Sequence, residues 1–81
     1  MASVKIDDLF NDPVVSSDRY TFDVALSLGH RLGQAYFNAL GETERSLLRH
    51  TGYDPFYKDD EKSVCKAHNY LRSQLIKGAK V

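Results

Sequence analysis

The 81 residues include one cysteine, no tryptophan, two prolines and one methionine. One cysteine cannot build an internal disulfide framework, so packing must hold the fold, and a reducing, cytoplasmic setting is the expectation. Apolar runs are only a few residues long, too short for a membrane-spanning helix, and no secretory leader is expected. Neither sign of charge dominates: eleven basic residues balance eleven acidic ones. That balance argues against a surface given over wholly to nucleic acid. Internal repeats, low-complexity tracts and Gly/Ser linkers are all missing. What is present is an apolar share of 42%, enough for a folded domain and too much for a disordered tail. A chain of this length buries only about two-thirds of the surface its unfolded form exposes, so one economical core is expected.

The charges are balanced in number but not in position. Residues 1–61 hold all eleven acids and six bases, a net of −5; residues 62–81 hold five bases and no acid, a net of +5. Such polarity steers partners or lets one end of the chain dock on the other.

Hydrophobic periodicity predicts an all-α fold, a small bundle of three main helices plus a short N-terminal one. The short helix is expected over about 4–11, with Ser3 as cap and Ile6, Leu9 and Phe10 at helical spacing. Asp12-Pro13 ends it, because a residue before proline is pushed out of the α region. Ser17 or Asp18 caps a central helix over about 19–40. Its apolar positions fill more than half of the circumference, which predicts packing on two sides. Gly41 ends that helix and caps the next, about 42–50, with Glu44 at the capping-box position and Gly52 beyond its end. Asp59 and Asp60 cap a last helix over about 60–77, stopped by Gly78. Its apolar stripe is Val64, Ala67, Leu71 and Leu75 with His68 at the edge, opposite Lys62, Lys66, Asn69, Ser73 and Lys77.

Several constellations carry possible chemistry. Ala25, Gly29 and Gly33 repeat every four residues on the expected central helix. Interior glycine costs about 1 kcal/mol against alanine, so the pair predicts a close helix crossing, within the chain or as a homodimer seam. Cys65 and His68, three apart, make half of a metal site without further ligands at a recognised spacing, so no metal is expected. As a nucleophile pair they lack an orienting group, although Lys62 and Lys66 would favour a thiolate. Asp54, Asp59, Asp60 and Glu61 lack the order of a calcium loop. Tyr53, Phe56 and Tyr57 crowd a loop stiffened by Pro55. Aromatic anchors beside charges are typical of protein interfaces, so Tyr53 and Tyr57 with Arg49 and His50 are the candidate partner-binding residues. Phe56 is expected to point into the core. Lys62, Lys66 and Lys77 are candidate contacts to phosphate or to an acidic partner, or simply a solvated face.

Nothing in the sequence forms a catalytic pair or cofactor motif, so no enzyme activity and no cofactor are expected. The best-supported expectation is a non-catalytic protein-binding module. The alternatives are a nucleic-acid binder using the basic face of the last helix and a homo-oligomer built on Gly29 and Gly33. In size, solitary domain and missing catalytic signature the chain resembles small accessory proteins of bacteriophages and mobile elements. That likeness covers no particular residues and implies only action on a host protein.

Overall fold

The structure, a computed structural model, describes residues 6–79, and of Asp7, Gly78 and Ala79 the backbone alone. It is all-α. The helices are α1 (Ile6–Leu9), α2 (Arg19–Ser27), α3 (Leu32–Ala39), α4 (Glu42–Leu48) and α5 (Glu61–Ala79). Among the described residues, no helix is long and apolar enough to cross a membrane.

The expected central helix is two helices. Gly29 adopts φ +88°, a left-handed conformation in which alanine or leucine would be strained. Its N–H donates to Leu26 O at 3.0 Å and the His30 N–H donates to Ala25 O at 3.1 Å. This paired hydrogen bonding, with glycine just past the C-cap, is the Schellman motif that ends α2. Arg31, in extended backbone, then starts α3. The broad apolar arc of one long helix was therefore the sum of two narrower ones. In α3, Gly33, Ala35, Tyr36, Phe37 and Ala39 are buried, whereas α2 buries only Phe22 and Ala25. Tyr20 and Leu28, at 75% and 70% exposure, lie in solvent.

The glycine seam is corrected with it. A Cβ at Gly29 would meet nothing within 4 Å, so no helix crosses there. Gly33 does mark a close approach, but to a loop: a Cβ there would sit 1.8 Å from the Pro55 carbonyl oxygen and 2.6 Å from that of Lys58. Ala25 and Gly33 thus sit on different helices, with Gly29 between them, and the three form no single helix face for packing within the chain.

The remaining helix ends follow local chemistry. Asp18 caps α2, accepting from the Tyr20 N–H at 3.2 Å and the Thr21 hydroxyl at 2.6 Å. The Asp18 N–H donates to Ala39 O and the Gly41 N–H to Ser16 O, an antiparallel bridge that ties the entry of α2 to the exit of α3. Glu44 does not close a capping box on Gly41. Its Oε2 accepts from the Ser16 N–H at 3.0 Å, a contact across the fold. Helix α4 ends at Leu48, before Gly52, with His50 at φ 66°. Asp60 caps α5, accepting from the Ser63 N–H at 2.9 Å. Asp59 instead accepts from the Leu32 N–H at 2.8 Å, capping α3 from 27 residues away. Helix α5 runs on through Gly78 to Ala79. The Ser3 cap and the first residues of the expected N-terminal helix lie outside the described residues.

One apolar cluster joins these elements. Val64, Ala67 and Leu71 of α5 are fully buried, as the stripe predicts, with Leu75 partly so. They meet Ala35 and Tyr36 of α3, Leu48 of α4, and Ile6 and Leu9 of α1. Phe10 completes an aromatic corner with Phe22 and Tyr36, ring centroids 4.8 and 6.1 Å away.

Candidate functional site

Two clusters stand out, one buried and one open. The buried one is a polar chain through the core. Tyr36 on α3 and His68 on α5 are both buried, and Asp12 in the turn after α1 is nearly so. Tyr36 Oη lies 2.8 Å from His68 Nδ1, and His68 Nε2 lies 2.9 Å from Asp12 Oδ2. A carboxylate only accepts, so Nε2 donates to Asp12; with the ring neutral, Nδ1 accepts from the Tyr36 hydroxyl. Arg72 Nε, 3.0 Å from the same carboxylate oxygen, closes the chain. Burial pushes the Asp12 carboxyl up, but the Val14 N–H, His68 and Arg72 outweigh it and hold it below the usual range. Burial, and then the charge of Asp12, push the Tyr36 hydroxyl well above its ordinary value. Both ring nitrogens of His68 are thus engaged within the fold. The Cys65 thiol is pushed up by burial and by Glu61, opposite to the thiolate that its lysine neighbours suggested. Among the described residues, no group of three His, Cys, Asp or Glu side chains could hold a metal ion.

The open cluster is built on the loop between α4 and α5. Asp54 Oδ1 accepts from the Phe56 N–H at 3.0 Å, an Asx turn. Pro55 is fully buried, and its carbonyl accepts from the Lys58 N–H at 2.8 Å while abutting Gly33. The Lys58 carbonyl in turn accepts from the Gly33 N–H at 2.9 Å. Phe56 packs edge-on against Phe37, centroids 5.6 Å apart, so it is the inward ring of the three. Tyr57 is 79% exposed. Tyr53, 47% exposed, stacks on Tyr70 of α5 with centroids 4.6 Å apart and planes 15° from parallel.

Beside that stack lie two depressions. One, of about 290 Å³, is lined by Gly52, Tyr53, Asp54, Pro55, Lys58, Ser63 and Lys66. The other, of about 330 Å³, is lined by Tyr53, Lys66, Asn69, Tyr70 and Ser73. Tyr53 and Lys66 belong to both, so the two depressions adjoin across an aromatic and a cationic wall, as a two-part trough.

Of the residues singled out from sequence, the trough gathers Tyr53 and Lys66. Tyr57, Arg49 and His50 are exposed but line neither half, and neither do the exposed Lys62 and Lys77. Tyr70, Asn69 and Ser73 were missed as site residues. Tyr70 sits on the flank of α5, between the apolar stripe and the basic face, where periodicity alone assigns no partner.

Fold and site together define a small all-α domain with an open aromatic and basic trough. Comparison with protein-family models, curated proteins and solved structures finds no match to this chain.

Proposed function

We propose that this chain is a small non-catalytic binding module that takes a protein partner on the trough between the 52–58 loop and α5. The observation that carries the reading is the Tyr53–Tyr70 stack, half in solvent beside Lys66, on a loop whose backbone is already held by Pro55 and Asp54. A preorganised aromatic anchor loses little entropy on binding, and tyrosine with a charged rim is a common interface composition. The polar chain at Tyr36 has the residue types of acid–base chemistry, but Tyr36 is 0% exposed, which supports the non-catalytic reading. A nucleic-acid track along Lys62, Lys66 and Lys77 has less support, because only Lys66 of the three borders the trough.

The test is site-specific photo-crosslinking in a cell extract, with the reactive group at Tyr53 and, as a control, at Tyr20 on α2. A discrete protein adduct from position 53, lost in Lys66→Glu with the fold intact, is the expected result. Adducts that are equal at both positions, or that consist of nucleic acid, refute the reading.

A further inference from the structure

Resting on that reading of the trough, we infer that its occupant is an acidic, extended peptide segment with an apolar or aromatic side chain between its carboxylates. Length comes first. Along α5 the trough runs from Ser63 to Ser73, about 15 Å at 1.5 Å per residue, which an extended strand covers with about five residues. Charge comes second. Lys58 and Lys66 line the trough and Lys62 is exposed one turn before Lys66. None of these three lysines forms an ion pair among the described residues. The one carboxylate in the lining, Asp54, is turned into its own loop toward the Phe56 N–H. Asp59 and Asp60 are likewise bound to the Leu32 and Ser63 N–H groups, with the charge of Lys58 reaching Asp60 as well, so Lys66 is the trough cation that no carboxylate engages among the described residues. The sequence supplies no acid beyond Glu61, so the α5 residues lining the trough, from Ser63 to Ser73, include no carboxylate.

The remaining lining groups match a peptide better than a phosphate chain. Asn69 and Ser73 make no side-chain hydrogen bond among the described residues and sit one helical turn apart, open to a partner's backbone amides. The Tyr53 ring, held flat by Tyr70, stands at the junction of the two halves, where one side chain of the segment would rest on it. Lys58 and Lys66, one from the loop and one from α5, line the trough together with Tyr53 and would take carboxylates neighbouring that side chain.

Fluorescence anisotropy with the full chain tests this. The probes are labelled peptides of about ten residues: one with glutamates flanking a central phenylalanine, one with lysines in their place, and one with the glutamates but glycine at the centre. A thymidine oligonucleotide of about the same length is the fourth. The glutamate–phenylalanine peptide is expected to bind about tenfold or more tighter than each other probe, and less tightly as salt rises. Lys66→Glu should weaken it by about tenfold, whereas Lys77→Glu, outside the trough, leaves it unchanged. Circular dichroism melts confirm that both variants fold. Equal binding of the acidic and basic peptides, no peptide binding below millimolar, or indifference to Lys66→Glu overturns the inference. So does tighter binding of the oligonucleotide. A protein adduct at Tyr53 alongside a peptide panel without preference would leave the interaction face standing and remove only the acidic segment.

Discussion

At the scale of single residues, the two glycines of the α2–α3 region do opposite jobs, and their substitution should separate them. Gly29 needs its backbone angle but has open space, so Gly29→Ala should cost about 1–2 kcal/mol, with asparagine recovering part of it. Gly33 needs space: a methyl there collides with the Pro55 carbonyl, a backbone atom. Gly33→Ala should cost about 3 kcal/mol or more and displace the 55–58 loop. Denaturant melts of both variants check the order, and equal losses would contradict it. Tyr36 and Asp12 give a second pair. Tyr36→Phe leaves the His68 Nδ1 without a donor in the core, an expected loss of about 1–3 kcal/mol. Asp12 titrates lower in the fold than in the unfolded chain. Its contribution is therefore whole above the unfolded value of about 4 and disappears as pH falls through the folded one. The stability gap between the parent and Asp12→Asn should accordingly narrow between neutral pH and about pH 3. A gap that stays constant over that range would show that the Asp12 charge adds nothing. None of this chain was legible in the sequence: His68 stood at the edge of a stripe, and its partner Asp12 lies 56 residues earlier.

At the scale of elements, legibility depended on whether one helix could be judged alone. Helix α5 could be: its 3.6-residue period places Val64, Ala67 and Leu71 inward whatever surrounds it. The stretch 19–40 could not, because a glycine within a helix and a glycine just past its end leave the same mark on a periodicity plot. The dipeptide Leu28-Gly29 was the available signal for a C-cap. One long helix would have carried Leu28 on its apolar arc, whereas in the structure it is exposed. Leu28→Ser should thus change stability by no more than about 0.5 kcal/mol, against about 3–5 kcal/mol for the buried Phe22→Ala. Asp59 makes the same point about caps. Sequence proximity assigned it to α5, but the loop turns it toward α3, whose own Arg31 makes no side-chain cap hydrogen bond. Removing it should cost about 0.5–2 kcal/mol, and hydrogen exchange should show the loss at the start of α3 rather than of α5. Faster exchange confined to the first turn of α5 would restore the sequence-based assignment.

At the scale of the whole molecule, the acidic and basic parts of the chain do meet, through Asp12 with His68 and Arg72, but that contact uses one of the five bases of residues 62–81. Lys62 and Lys66 stay on the surface, beside the loop that both closes the core and presents the aromatics. Those two roles of the loop fall on different rings, and truncating each ring to alanine should divide stability from binding. Phe56 lies against Phe37 but is only half-buried, so Phe56→Ala should cost less than the 3–5 kcal/mol of a fully buried ring, about 2 kcal/mol. Tyr53 loses a stacked partner worth about 0.5–1.5 kcal/mol and, as the shared wall of the trough, at least about 2 kcal/mol of binding. Tyr57 touches Phe56 at 5.0 Å but lines neither half of the trough. Its truncation should change stability by about 0.5 kcal/mol at most and leave binding of the glutamate–phenylalanine peptide intact. Thermal unfolding and peptide anisotropy on the three variants measure both quantities on the same samples. If Tyr57→Ala abolishes binding while Tyr53→Ala spares it, the partner sits on the outer side of the loop, and α5 takes no part in holding it.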